Sequence, residues 1–196
     1  MDLDRDGWLD LMVTTDNGEK DFLFRNRGDG TFTAWTTNEV GPVLALAAST
    51  YAASWCDVDN DGNLDLYVAN FRGGPNFLYR NDGTGRLEPV TAGSLPGKSA
   101  TACALWGDFN NDGLFDLFTT SWNGTNTLHI NRGNWQFEDV TVASGLALSG
   151  TCWSPTAGDY DNDGNLDLYV PVYSGKDVRT TTTATARFLG RTWALH

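Results

Sequence analysis

Four short acidic segments hold the residues of this chain that are best suited to chemistry. Each follows the form Asp-x-Asp/Asn-x-Asp-Gly-x-x-Asp, and they begin at residues 2, 57, 108 and 159 of the 196-residue sequence. Oxygen donors at alternate positions suit a hard cation such as Ca²⁺, which takes about six to eight oxygen ligands. The glycine lets so short a segment turn sharply around the ion. The pattern predicts one calcium site per segment, and up to four in the chain.

The predicted ligands occupy positions 1, 3, 5, 7 and 9 of each loop, with position 7 contributing its backbone carbonyl. In loops 2–10, 57–65, 108–116 and 159–167 these residues are Asp2, Asp4, Asp6, Trp8, Asp10, Asp57, Asp59, Asp61, Asn63, Asp65, Asp108, Asn110, Asp112, Leu114, Asp116, Asp159, Asp161, Asp163, Asn165 and Asp167. Asn110 keeps an oxygen donor but loses a charge, so we expect the third site to bind more weakly.

The acidic segments have two other possible interpretations. They could be metal-free Asp-Gly turns, but four carboxylates crowded in one loop would repel each other without a cation. They could be EF-hands, which share the first half of the pattern. An EF-hand needs a glutamate at position 12 and flanking helices, whereas position 12 here is Val13, Val68, Thr119 or Val170.

The elements that position these loops are predicted to be short β-strands. The segment after each glycine is rich in β-branched and aromatic residues, as in Leu64 to Val68, and Gly-rich turns separate such runs. The repeat length is about 50 residues, which is typical of propeller blades and other arrays. We therefore predict an all-β fold of about four blades, each with four short strands, that bury their faces on their neighbours.

Composition narrows the classes of partner. The formal net charge is −12 and only three lysines are present, so nucleic acid binding is not expected, since it needs clustered basic residues. The sequence contains no run of 18 apolar residues, so it predicts no membrane span. The number of cysteines is odd (Cys56, Cys103 and Cys152), so at least one has no disulfide partner within the chain. We predict buried thiols, although one disulfide is possible.

The chain resembles the FG-GAP/VCBS repeat family of integrin-α-like β-propellers. The acidic loops carry the likeness, and the segments 78–83 (Leu-Tyr-Arg-Asn-Asp-Gly) and 137–141 (Phe-Glu-Asp-Val-Thr) resemble the ASPIC/UnbV, or cartilage-acidic-protein-like, group. The resemblance covers residues 1–178. It implies a calcium-stabilised binding scaffold that is extracellular, periplasmic or at the cell surface. It also implies a larger propeller of about seven blades, within the usual range for this fold, of which this chain is a fragment whose N-terminus and signal peptide lie upstream.

Residues 179–196 depart from the blade pattern. The repeats place an asparagine (Asn26, Asn81, Asn131) in the strand after the loop, and the fourth copy would place it near residues 182–183, which are threonines. Read one base earlier, the codons of 182–188 can encode Asn-Asn-Gly-Asp-Gly-Thr-Phe. We interpret the tail as the product of a frameshift, with a natural Thr-rich linker as the alternative.

The function predicted from these features is a calcium-binding, non-enzymatic β-propeller scaffold for protein or glycan binding or adhesion at the cell surface or outside the cell. The alternative is a carbohydrate-active propeller, similar to polysaccharide lyases, or an accessory module of such an enzyme, because exposed tryptophans could stack on sugars. Trp35 and Trp122 are the candidates, while Trp55 and Trp106 share a repeat position and are expected in the core. His129 is expected to be packed within a strand. Open blade edges are expected to allow self-association.

Overall fold

The computed structural model describes residues 1–72, 74–91, 95 and 100–173, together with the backbone of strand 182–185. Its strands are β1 (Leu11–Val13), β2 (Glu19–Lys20), β3 (Phe22–Asn26), β4 (Phe32–Ala34), β5 (Ala47–Ala48), β6 (Thr50–Cys56), β7 (Asp65–Asn70), β8 (Phe77–Asn81), β9 (Leu87–Pro89), β10 (Thr101–Gly107), β11 (Asp116–Ser121), β12 (Gly124–Thr125), β13 (Thr127–Asn131), β14 (Phe137–Asp139), β15 (Ser149–Cys152), β16 (Thr156–Gly158), β17 (Asp167–Val170), β18 (Val172–Tyr173) and β19 (Thr182–Thr185).

Four antiparallel sheets follow one another along the chain and form the blades. Their strand orders are β1-β3-β4, β6-β7-β8-β9, β10-β11-β13-β14 and β16-β17-β19, and two small sheets, β2-β5 and β12-β15-β18, lie beside them. The second and third blades therefore show the predicted four strands. In the second, third and fourth blades the acidic loop joins the first two strands: loop 57–65 runs from β6 into β7, and loop 108–116 runs from β10 into β11. Loop 2–10 leads directly into β1. The predicted all-β propeller-blade architecture is confirmed.

The blades bury their faces against one another in three apolar clusters. Leu23 of the first blade packs with Leu66 and Val68 of the second. Tyr67 and Leu78, on the other face of the second blade, pack with residues of the third. A third cluster joins the third and fourth blades. The core is thus distributed between blades, as an array of repeats requires.

The outer face of the first blade is apolar and exposed. Leu11, Val13 and Phe22 are 47%, 40% and 50% exposed, whereas Leu66 and Val68, which occupy the first two of these repeat positions in the second blade, are 0% and 4% exposed. This face of the first blade is therefore uncovered, whereas the equivalent positions of the second blade are packed against a neighbouring blade.

One short α-helix and a 3₁₀ turn connect the first two blades. The helix, α1 (Thr37–Val40), starts with a capping box in which Thr36 and Glu39 bond reciprocally, and a 3₁₀ turn (Pro42–Ala45) follows it. Val40 and Val43 point into the cluster between the two blades. The connection therefore also contributes to the core.

The fourth blade is the least regular. Pro155 separates β15 from β16, and Pro171 separates β17 from β18, because proline has no N–H to donate to a strand pairing. Strand β19 pairs with β17 from Asp167–Thr185 to Val170–Thr182. The remainder of the tail, and with it most of the segment assigned to a frameshift, lies outside the described residues.

Candidate metal centre

The acidic loops are wound around their own carboxylates. The aspartate at position 1 accepts the backbone N–H groups of positions 5 and 6 in every loop, at 2.9–3.1 Å. The aspartate at position 5 accepts the N–H of position 7 at 2.9 Å in every loop. These bonds fix the loop conformation through side chains that are also predicted ligands. The predicted carbonyl ligands at position 7 remain a prediction.

Two positions of each loop, 4 and 6, require a residue in the left-handed backbone conformation. The glycine at position 6 has a positive φ in all four loops, for example 88° at Gly62, as predicted. The residue at position 4 was not singled out from the sequence, yet it also has a positive φ of 58–59° at Arg5, Asn60, Asn111 and Asn162. Asparagine is the non-glycine residue that tolerates this region best, and its presence in three of four loops was an available signal.

Three of the loops bring acidic oxygens together. The carboxylates of Asp2, Asp4 and Asp6, of Asp57, Asp59 and Asp61, and of Asp159, Asp161 and Asp167 each offer oxygens that lie within 4.8 Å of one another. In the third loop Asn110 bonds Asp112 instead, with its amide nitrogen 2.9 Å from Oδ2. The third loop therefore differs in geometry from the other three, and its weaker binding of a cation remains a prediction.

The position-3 carboxylates have an unmet bonding capacity that a cation would satisfy. Oδ1 of Asp4 and Oδ1 of Asp59 are buried, and neither has a hydrogen-bond partner within the described part of the chain. Buried polar atoms are normally paired. Such an atom beside two further carboxylates fits a cation, and the donor set is of the all-oxygen kind that Ca²⁺ prefers. The residues present thus fit the predicted metal.

Arginines from a neighbouring strand partly balance the first two loops. Arg80 on β8 lies 3.3 Å from Asp59 and 3.0 Å from Asp61, and Arg25 on β3 bonds Asp4. Burial and the charge of Asp61 raise the pKa of Asp59, while Arg80 opposes this effect. Sequence reasoning missed these arginines, although each lies 21 residues after the aspartate at position 3 of its loop.

The aspartate at position 9 ties the loop to the third strand of the blade. Asp65 is buried, and its two oxygens accept the N–H of Val58 and the N–H of Asn81, both at 2.9 Å. Asp10 and Asp116 make the same pair of bonds. Burial raises the pKa of Asp65, and likewise of Asp116, to about 7, against the lowering effect of these amides.

The repeated asparagine on the third strand joins each blade to the one before it. The Asn81 amide donates to the Leu3 carbonyl of the first loop at 2.9 Å and to the Leu64 carbonyl of its own loop at 3.2 Å. Asn131 likewise donates to Val58 of the second loop at 3.0 Å. These backward bonds connect successive loops.

The residue at position 4 makes a second connection, toward the following blade. Asn60 donates to the Gly113 carbonyl at 3.0 Å, and Asn111 to the Gly164 carbonyl at 3.3 Å. Arg5 reaches the Asn63 side chain at 3.3 Å. The four loops therefore form one hydrogen-bonded row along the same edge of the blades.

The structure also shows where the predicted histidine, cysteine and tryptophan side chains lie. His129 is buried, and burial lowers its pKa. All three cysteines are free thiols, so the open possibility of a disulfide is not realised. Trp35 is 9% exposed and packs in the first core cluster, so its selection as a surface residue was wrong. Trp122 is only half-buried.

Comparison with known proteins agrees with this geometry. The sequence matches the FG-GAP-like repeat over residues 2–68, 57–119 and 108–170. The chain therefore belongs to the FG-GAP-like repeat family.

Cartilage acidic protein 1 is a relative. The mouse protein is 29% identical over 148 residues, which are 72% of this chain and 20% of that protein. The human protein is 29% identical over 136 residues, 66% of this chain and 18% of that protein. The likeness to the cartilage-acidic-protein group is thus confirmed, and the chain spans about a fifth of these relatives.

A solved structure shares the fold. It is a lectin of Agrocybe aegerita, described for its specific recognition of non-reducing terminal N-acetylglucosamine. The TM-score is 0.54 and the sequence identity 16%, and the match covers 95% of this chain and 51% of the lectin. Within the described residues, no helix is long and apolar enough to cross a membrane.

Proposed function

We propose that this chain is part of a calcium-stabilised, non-enzymatic β-propeller scaffold that acts outside the cytoplasm and binds a protein or glycan ligand. The observation that carries the proposal is the convergence of three carboxylates in the first and second loops around a buried, unpartnered oxygen of Asp4 or Asp59. Millimolar calcium outside cells suits modular sites of modest affinity.

The role proposed for the cation is structural. Bound Ca²⁺ would neutralise carboxylates whose mutual repulsion otherwise opposes the loop, and the loop carries the chain from the first strand of the blade into the second. The row of bonds from Asn60 to Gly113 and from Asn81 to Leu3 would then hold neighbouring blades in register. The same geometry recurs blade after blade, which favours a structural purpose, since catalysis needs only one site.

A glycan is the favoured ligand class. The lectin that shares the fold is described as recognising a terminal sugar, and half-buried aromatic rings lie on the surface of this chain. A protein ligand is the alternative within the same proposal. An activity on polysaccharides would be the enzymatic alternative.

The test of the calcium proposal is thermal unfolding in Ca²⁺ and in excess chelator, with calorimetric stoichiometry. We expect a clear rise in melting temperature with Ca²⁺ and three to four bound ions, because a ligand that binds only the folded state stabilises it. Asp59→Asn should weaken calcium binding at the second site, as Asn110 is expected to do at the third. Glu88→Gln is the matched control, since it removes the same charge from the same blade but outside the loops, where Glu88 pairs with Arg86. No shift and no binding would refute the proposal.

A further inference from the structure

Four aromatic side chains from three blades meet on the surface at the end of the blades opposite the acidic loops. Tyr51 stacks on Phe71 with ring centroids 4.7 Å apart, Phe71 meets Trp122 edge-on at 5.3 Å, and Trp122 meets Trp153 edge-on at 4.7 Å. Tyr51 also lies 5.8 Å from Trp153. The four rings, which we call the aromatic platform, are therefore one continuous cluster.

The fold places the aromatic platform away from the metal centre. In the second blade Cys56 pairs with Asp65 at the loop end of the sheet, and Thr50 pairs with Asn70 at the other end. Tyr51 follows Thr50 and Phe71 follows Asn70, so both belong to the second end. The seven residues of β6 between the two ends span roughly 20 Å.

Backbone bonds fix the positions of the platform, but they do not dictate the residue types. The N–H of Phe71 bonds the Ser49 carbonyl, and the N–H of Trp122 bonds the Ala100 carbonyl, each at 2.9 Å. Phe71 and Trp122 thus occupy the same repeat position in successive blades, which sequence reasoning missed. The fourth blade also has an aromatic residue at this position, Tyr173, but the first blade has Asp16, so an aromatic ring there is not a requirement of the fold.

Core packing does not account for the aromatic platform. None of its four rings belongs to any of the three apolar clusters between blades, whereas Trp55 and Trp106 pack against two of them. Tyr51 is 39% exposed, and Phe71, Trp122 and Trp153 are half-buried. Large apolar rings left together at the surface mark a binding site more often than a stability element.

A charged pair borders the aromatic platform. Arg72, which follows Phe71, lies 3.1 Å from Asp16 of the first blade, and the two side chains are 57% and 37% exposed. Asp16 also bonds Ser49. The surface therefore combines flat apolar rings with a carboxylate and a guanidinium that can accept and donate hydrogen bonds.

We propose that the aromatic platform binds a pyranose ring of a glycan. A pyranose has an apolar C–H face, which stacks on an aromatic ring and removes both surfaces from water. Its hydroxyl groups need donors and acceptors at the edge of that ring, as Arg72 and Asp16 provide. A few oriented polar groups beside an apolar surface are typical of small-ligand sites. A nucleotide is disfavoured because the chain carries a net charge of −12.

This inference rests on the glycan arm of the proposed function, and its test is independent of calcium binding. The full chain is screened in Ca²⁺ on an array of neutral and acidic oligosaccharides, followed by calorimetry with chitotriose, cellotriose and mannotriose. We expect binding of at least one trisaccharide, at least a ten-fold loss of affinity in Trp122→Ala, and partial retention in Trp122→Phe.

Control variants separate loss of binding from loss of fold. Phe32→Ala removes an aromatic ring that is 49% exposed on the first blade, where Phe32 pairs with Asn26, and should leave sugar affinity unchanged. Asp16→Asn should weaken sugar binding without lowering the calcium-induced rise in melting temperature. The aromatic platform proposal is overturned if no trisaccharide binds at millimolar concentration, or if Trp122→Ala and Asp16→Asn both bind as the unmodified chain does. Sugar binding without a calcium shift would instead overturn the calcium-scaffold proposal alone.

Discussion

Replacement of Asn81 by alanine is expected to loosen the contact between the first and second blades. The Asn81 side chain is fully buried, and its amide donates to the carbonyls of Leu3 and Leu64. Its oxygen accepts the N–H of Gly83 at 3.0 Å and that of Gly85 at 3.3 Å. Alanine would leave these four backbone groups without their partner in a place that water reaches poorly.

The magnitude follows from the cost of an unsatisfied buried group. Each such group costs about 1–3 kcal/mol. With some relaxation toward water, we expect Asn81→Ala to lower the free energy of unfolding by about 3 kcal/mol, which is a large share of the stability of about 5–15 kcal/mol typical of a folded domain.

The first blade supplies a matched control at the same repeat position. Asn26 donates only to the Leu9 carbonyl of its own loop and accepts from Gly28, and it is half-buried. Because water can replace its partners, Asn26→Ala should cost only about 1 kcal/mol. The difference between the two variants therefore measures the bond that crosses between blades together with the deeper burial of Asn81.

The assay is urea unfolding followed by tryptophan fluorescence, at saturating Ca²⁺ and in chelator. We expect the gap of about 2 kcal/mol between the variants in both conditions, since Asn81 bonds backbone carbonyls and not a carboxylate. Equal costs for the two variants, within about 0.5 kcal/mol, would show that the backward bond does not stabilise the contact between blades.

Three further outcomes are expected. In chelator, the melting temperature should fall as pH rises from 5 to 8. The reason is that burial raises the pKa of Asp65 and Asp116 to about 7, so the folded state holds protons that the unfolded state has released. A melting temperature that rises with pH would contradict this. Phe22→Lys should reduce self-association in analytical ultracentrifugation, because it places a charge on the exposed outer face of the first blade; an unchanged sedimentation profile would count against that face. A thiol reagent at pH 8 should label half-buried Cys103 well before Cys56, whose pKa burial raises to about 12; mass spectrometry showing prior labelling of Cys56 would argue that its strand opens.

Local features of this molecule were predictable because each depends on a few neighbouring residues. The Asp-Gly spacing predicted the loops, the positive φ of Gly62 and the strand that follows. The different geometry of the third loop follows from Asn110 alone. The capping box of Thr36 and Glu39 was also readable, although the short helix after it was not predicted.

Contacts between strands and between blades were not predictable in the same way. The approach of Arg80 to Asp61 depends on the register of β8 against β7. The bond from Asn81 to Leu3 joins residues 78 positions apart. The burial of Trp35, which was expected at the surface, depends on how the first two blades face each other. Sequence periodicity supplies the elements, but the angle and separation of neighbouring blades decide which side chains meet.

The backward direction of the asparagine bonds has a consequence for synthesis on the ribosome. The acidic loop of a blade emerges first, and the asparagine that bonds the preceding blade emerges more than twenty residues after the first aspartate of that loop. Asn81, which bonds Leu3, follows Asp57, and Asn131, which bonds Val58, follows Asp108. Each blade can therefore form its asparagine bond to the preceding blade only after its third strand has left the exit tunnel of the ribosome. The nascent protein is expected to grow in steps of one blade, with the newest loop open to solvent and to calcium until the next asparagine arrives.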